Sequence, residues 1–175
     1  MPIIYLGLGS NLGDCQKNIA QAIEVLSEKI SNIRTAPLYR TKPWGVVDQP
    51  DFINTAMSGT TDLTPHKLLS FVKKVEKKVG RVAREHWGPR EIDIDILLYD
   101  DIVVDEPDLN IPHPGLHERD TVLQPLIDLN TTLIHPLLKI PLVDLLRNIP
   151  PEKRFIVARA PSPLWGEGWG EVRSK

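Results

Sequence analysis

Apolar and polar positions along this 175-residue chain change period several times, and each change predicts an element. Residues 3–8 form a short apolar run bounded by glycines, which predicts a buried strand. Asp14 is placed to cap a helix in which Ile19, Ile23, Leu26 and Ile30 recur at helical spacing. The stretch 33–40 reads as a strand broken by Pro37, which puts it at an edge or a bulge. Two prolines, a glycine and Trp44 make residues 41–50 a partly stiff loop suited to a lid, and a strand resumes over 52–60. Thr64 with Pro65 starts a second helix, Leu68, Leu69, Val72, Val75 and Val79 form its apolar stripe, and Gly80 stops it.

Residues 92–99 alternate. Ile92, Ile94, Ile96 and Leu98 face one way, and Asp93, Asp95, Leu97 and Tyr99 the other. Asp100-Asp101 predicts a turn into residues 102–104, which makes a hairpin with that strand. Residues 116–129 and 142–149 read as two more helices, while residues 161–175 lack periodicity and predict a disordered tail. The order strand, helix, strand, strand, helix, strand is that of split βαβ units. It predicts an α+β, ferredoxin-like βαββαβ sandwich with an added β-hairpin and C-terminal helices, in one domain over residues 1–160.

Length agrees, since a chain of this size buries about two-thirds of its unfolded surface in one core. A net charge of −2 argues against a nucleic-acid partner, which calls for a basic face. The single cysteine, Cys15, forms no internal disulfide and no zinc cluster, so a reducing cytoplasm is expected. No apolar run spans a bilayer and the start lacks the basic region of a secretory leader, so no membrane partner is expected either. The expected state is a monomer.

Candidate chemistry concentrates after residue 72. Between residues 73 and 91 seven lysines and arginines outnumber three glutamates. The lysines fit a solvated helix face, whereas Arg81, Arg84 and Arg90 lead into the acidic strand and offer forked geometry to phosphate oxygens. Glu76 either pairs with Lys73 or Lys77 at the surface or steadies those arginines. Asp93 and Asp95 stand side by side with Cα atoms roughly 6.6 Å apart, close enough to share a hard cation or bracket two. Left unneutralised, one of the two is pushed towards protonation. Asp-x-Asp alone equally describes a solvated strand face. The preceding Trp87-Gly88-Pro89-Arg90 tips the reading towards phosphate bridged by metal. His113, between two prolines, has a backbone stiff enough to present its ring to a ligand. Gly7, Gly9 and Gly13 do not have dinucleotide-loop spacing. His66, His117 and His135 show no partner pattern and read as surface residues.

Trp87-Gly88-Pro89-Arg90 followed by Ile92-Asp93-Ile94-Asp95-Ile96-Leu97 closely resembles the signature of the 6-hydroxymethyl-7,8-dihydropterin pyrophosphokinase family. Gly9-Ser10-Asn11, Tyr39-Arg40-Thr41, the run from Asp48 to Asn54, Gly80-Arg81 and Pro112-His113-Pro114 follow in that family's order, over about residues 2–150. The resemblance implies transfer of the diphosphate of ATP to the hydroxymethylpterin, with release of AMP. It implies two Mg2+ ions on Asp93 and Asp95, with Asp95, Arg81 and Arg90 as catalytic residues. Arg81, Arg84, Arg90, His113 and Arg119 would bind nucleotide, Thr41, Pro43, Trp44, Phe52 and Asn54 the pterin, and Glu76 and Trp87 would support the loop.

The chain departs from the family at two places. Thr121 stands where an aromatic usually follows the arginine, which implies one-sided stacking on the pterin or a substitute ring from Trp44 or Trp87. Ala83 and His86 stand where basic residues are usual, which leaves Arg84 to deputise. A magnesium-dependent phosphohydrolase and a nucleotide-binding module without catalysis are the rival readings of the same residues.

Overall fold

The computed structural model describes residues 1–162 and 170–171. Its centre is β1 (Ile3–Ser10), hydrogen-bonded antiparallel to β4 (Phe52–Thr60) on one side and β5 (Asp93–Tyr99) on the other. Two short strands, β2 (Ser31–Thr35) and β3 (Leu38–Thr41), both pair antiparallel with β4. Pro37 separates them, and the register slips by one residue there, since Thr35 faces Met57 but Tyr39 faces Asn54. The expected break is therefore a bulge.

The order β5-β1-β4-β2 makes β1 parallel to β2, with β4 between them, and β4 parallel to β5, with β1 between them. Helices α1 (Cys15–Leu26) and α2 (Pro65–Val79) make the two crossovers, which agrees with the expected pair of split βαβ units. Each helix begins where a side chain accepts from an otherwise unpaired N–H. Asp14 receives Lys17 N at 3.2 Å and Thr64 receives Lys67 N at 3.4 Å. α1 stops at Leu26, four residues before the periodicity ends, because Ile30 reaches the same core from the turn that follows. α2 stops at Gly80, whose φ of 117° suits only glycine.

Both sheet faces are covered. Ile4, Leu6 and Leu8 of β1 pack with α1 and α2, while α3 (Asp120–Leu129) and α4 (Leu142–Arg147) cover Tyr5, Ala56 and Leu97 opposite. The two aspartates of β5 emerge at one end of this second face, where helix cover gives way to loops.

Four expectations need correction. The alternation in β5 fails after Ile96: Tyr5 faces Leu98 and Leu6 faces Ile96, so Leu97 is an extra residue. Leu97 and Leu98 therefore join the same side of the core, and Tyr99 moves to the face of Ile94 and Ile96, where its hydroxyl donates to Leu63 O at 2.7 Å. The hairpin is not built on β5 either; β6 (Val104–Asp105) pairs with β7 (Asn110–Ile111). Asp100 instead takes a left-handed conformation and its carboxylate accepts from Ile3 N at 2.7 Å. The helix over 116–129 is interrupted, with a 3-10 turn at Leu116–Glu118 and an extended Arg119 before α3.

The fourth is His135, which is buried at 3% exposure rather than on the surface. Its Nδ1 accepts from Leu137 N and Leu138 N at 3.2 and 3.0 Å, so the ring serves as a neutral acceptor that ties its own loop. Burial first, and then His117, hold its pKa below the ordinary 6.5. The unfolded chain thus takes the proton first, and this part of the stability is lost as pH falls below 6.5. Urea unfolding should show a falling midpoint from pH 7 to 5.5, and His135→Asn, which keeps an acceptor without titrating, should flatten that slope. An unchanged slope in the variant would contradict this assignment.

Two strands were not anticipated. β8 (Ile156–Ala160) pairs with β3, and β9 (Gly170–Glu171) pairs with Arg34 and Thr35 of β2. Apart from residues 161, 162, 170 and 171, the expected disordered tail lies outside the described residues. Among the described residues no helix is long and apolar enough to cross a membrane.

Candidate active site

β5 presents Asp93 and Asp95 on one face, at the C-terminal end of the loop that follows α2. Asp93 is neutralised from two sides: Arg81 Nη1 donates to Oδ1 at 3.0 Å and Arg90 Nη1 to Oδ2 at 3.3 Å. Asp95 has no such partner among the described residues, and the Nε2 of His113 lies 3.9 Å from its Oδ2. Desolvation, and then the charge of Asp93, push the Asp95 carboxyl up to about 7. It still opens to the surface, with 43% of its side chain exposed, and lines a narrow recess. A recessed, uncompensated carboxylate beside a compensated one is a donor pair that a divalent cation would relieve, and both carboxylates retain lone pairs for it. The residues present fit the metal that the sequence implies.

Arg81 is itself held. Glu76, on the last full turn of α2 and only 2% exposed, accepts from Arg81 Nη1, from Lys73 Nζ at 3.1 Å and from Ile94 N at 3.1 Å. Although burial disfavours the guanidinium charge, Glu76 and Asp93 more than offset it and raise the pKa of Arg81. The surface-pair reading of Glu76 is thereby overturned: its Lys73 contact exists, but the carboxylate is buried and bridges helix, loop arginine and strand.

Arg81, Arg84, His86, Trp87 and Arg90 line one side of a cleft of about 430 Å³ running along the loop. Arg84 turns away from the aspartates and pairs with Glu91 at 2.7 Å. His113 is mostly buried, and desolvation, then Arg119, lowers its pKa, so it stands beside Asp95 as a neutral ring. Its Nδ1 accepts from Gly115 N at 3.1 Å, which leaves Nε2 towards Asp95.

Beside the aspartates lies a second, narrow recess of about 50 Å³ lined by Gly9, Asn54, Asp93, Asp95, Thr121 and Val122. Asn54 donates to Thr41 Oγ1 at 2.7 Å across β3 and β4. Gly9 is required opposite it, because a Cβ there would lie 2.4 Å from Asn54 Oδ1. The Phe52 ring lies under the Arg90 guanidinium, 5.3 Å from its centroid. Pro43 is buried, and Trp44 leaves the sheet edge to stack on Arg119 at 4.7 Å, with Trp87 on the same guanidinium at 5.7 Å.

Sequence reasoning assigned no role to Asn11 or Gln49, although both lie in quoted motifs. Asn11 Oδ1 accepts from Arg90 N at 2.9 Å, and its amide donates to Gln49 Oε1 at 2.9 Å and Pro50 O at 3.0 Å. Gln49 in turn donates to Trp87 O at 2.8 Å, so these amides lock three loops together. Asn following Gly-Ser at a strand end was the available signal, since a buried amide needs partners on both its ends.

Carboxylates suited to a hard cation, set among arginines and beside a recess for a second substrate, define a phosphoryl-transfer enzyme. Comparison with known proteins narrows the class. The chain belongs to the family described as 7,8-dihydro-6-hydroxymethylpterin-pyrophosphokinase, which it matches over residues 5–131. It is thus a pyrophosphokinase of folate biosynthesis, an ATP-dependent diphosphotransferase. It is 46% identical over 144 residues to a 2-amino-4-hydroxy-6-hydroxymethyldihydropteridine pyrophosphokinase of Aquifex aeolicus, covering 82% of this chain and 90% of that one. A like-named protein of Haemophilus influenzae is 37% identical, covering 75% of this chain and 84% of its own length. A folic acid synthesis protein of Dictyostelium discoideum is 42% identical over 85% of this chain, which spans only 22% of that protein. In fold the chain is similar to a crystal structure of Plasmodium falciparum HPPK-DHPS, at TM-score 0.67 and 16% identity, covering 83% of this chain and 44% of that one.

Proposed function

We propose that this chain transfers the β,γ-diphosphate of ATP to the hydroxymethyl group of 6-hydroxymethyl-7,8-dihydropterin, on a ferredoxin-like sheet and as a cytoplasmic monomer. The observation that carries the reading is the unequal pair: Asp93 compensated by Arg81 and Arg90, Asp95 raised and open to the narrow recess. Two Mg2+ ions held by Asp93 and Asp95 would neutralise the phosphates and lower the pKa of the attacking hydroxyl. Arg81 and Arg90 supply the remaining positive charge along the cleft wall, Arg81 being kept in place by Glu76. Arg84 exchanges Glu91 for a phosphate oxygen, and His113 offers its neutral Nε2 to the nucleotide, with Arg119 beyond it. Asp95 accepts the hydroxyl proton from its place beside the metal site. Asn54 reads the polar edge of the pterin beside Thr41, and Phe52 stacks on its face once Arg90 leaves that ring for the phosphates. Pro43, Trp44 and Trp87 close the rim of the site beside the ring without stacking on its second face.

The deciding experiment combines ATP, magnesium and hydroxymethylpterin and measures AMP and free phosphate separately. AMP only in the presence of pterin is expected. Free phosphate without pterin would point to a phosphohydrolase, and neither product to a binding module.

Thr121 lines the narrow recess without supplying a ring, so stacking there is one-sided. Thr121→Phe should tighten pterin binding by about three- to tenfold, the worth of one aromatic pair. Unchanged affinity in a titration of the variant would count against one-sided stacking.

A further inference from the structure

Phe155 lies beyond residue 131, where the family match ends, yet it reaches the loop at residues 42–51. Its ring meets that of Trp44 at a centroid distance of 4.7 Å and an interplanar angle of 48°. Its carbonyl accepts from Lys42 N at 2.8 Å, at the point where β3 gives way to the loop. The segment is pinned from behind as well. Both oxygens of Asp120, itself 2% exposed, accept from Phe155 N at 3.0 Å, and one of them also accepts from Ile156 N at 3.0 Å. Arg154 donates to Ile149 O and Leu146 O at 3.1 and 3.2 Å, and β8 then runs along β3.

A buried carboxylate shared by two successive backbone N–H groups fixes the segment, since each N–H is partly withdrawn from water and needs an acceptor. Asp120 also follows Arg119, whose guanidinium lies over the Trp44 ring at 4.7 Å. Trp44 is thus held on two sides by adjacent residues of one helix start: directly by Arg119 and, through Asp120, by Phe155.

We propose that residues 154–160 form a C-terminal strap in which Phe155 is a positioning residue that pre-shapes the 42–51 loop for the pterin. The strap's hydrogen bonds and ring contacts run to Lys42, Trp44, Asp120, Leu146, Ile149 and β3, and it meets Arg119 only through Trp44, so its main effect is expected on the pterin. This inference rests on the reading that Trp44 and Pro43 face the pterin.

Phe155→Ala should raise the KM for hydroxymethylpterin by about three- to tenfold, as expected for one lost aromatic contact. The Kd of a non-hydrolysable ATP analogue should stay within about twofold, and Phe155→Tyr should restore the pterin KM. Asp120→Asn, which leaves the ring intact and weakens the fixture, should shift the pterin KM in the same direction. Hydrogen exchange supplies a readout that needs no catalysis: amides of Lys42 and the loop after it should exchange faster in Phe155→Ala than in the parent, while those of β1 and β5 should not. Faster loop exchange in a protein that makes no AMP would keep the strap and discard the assigned reaction. Loop exchange unchanged in Phe155→Ala, or both substrates weakened alike together with a general loss of protection, would overturn the proposal.

Discussion

Asp95→Ala is expected to slow pterin-dependent AMP formation by about three powers of ten or more, the combined worth of a metal ligand and a proton acceptor. The fold should not suffer. Burial and Asp93 already disfavour the Asp95 carboxylate, so its removal should leave the melting temperature unchanged or slightly higher. This pairing of lost rate with retained stability separates a functional carboxylate from a structural one. Steady-state kinetics at saturating magnesium, alongside thermal unfolding, reads both. A near-normal rate in the variant would show that the cation is held elsewhere.

Glu76→Ala should have the largest effect on stability, about 2–3 kcal/mol, because it leaves the Ile94 N–H without its acceptor and takes from Arg81 the more buried of its two carboxylate partners, Asp93 being left. Against a total stability of about 5–15 kcal/mol, that loss is a substantial share. Glu76→Gln retains an acceptor for Ile94 N and should cost less, yet it removes the charge that holds Arg81, so affinity for an ATP analogue should still drop. Urea titration of the two variants measures the difference. A Glu76→Ala protein within 1 kcal/mol of the parent would mean that Arg81 and Ile94 find new partners at little cost.

Much of the site was legible because local rules carry it. Period-two alternation put Asp93 and Asp95 on one face, helix punctuation located α2 and therefore Arg81, and the carboxylate–arginine sequence named the chemistry. The same alternation failed three residues later, since a bulge is a property of pairing with β1 and leaves no mark in β5 alone. Glu76 gave an ambiguous signal: its position beside the stripe suits either surface or core, and burial was decided by Ile94 and Arg81, distant in sequence. His135 looked isolated because both its partners are backbone amides of its own loop. β8 escaped notice because its residues are largely exposed and the strand it pairs with, β3, is also short; its place comes from Asp120 and the sheet edge.

The central claim is that Asp93 and Asp95 bind divalent cation together with the triphosphate. Isothermal titration of a non-hydrolysable ATP analogue, with and without magnesium, tests it most directly. The structure predicts tight binding only with the metal, abolished in the Asp93→Ala, Asp95→Ala double variant while the protein stays folded. Equal binding with and without magnesium, or full magnesium-dependent binding in the double variant, would contradict it.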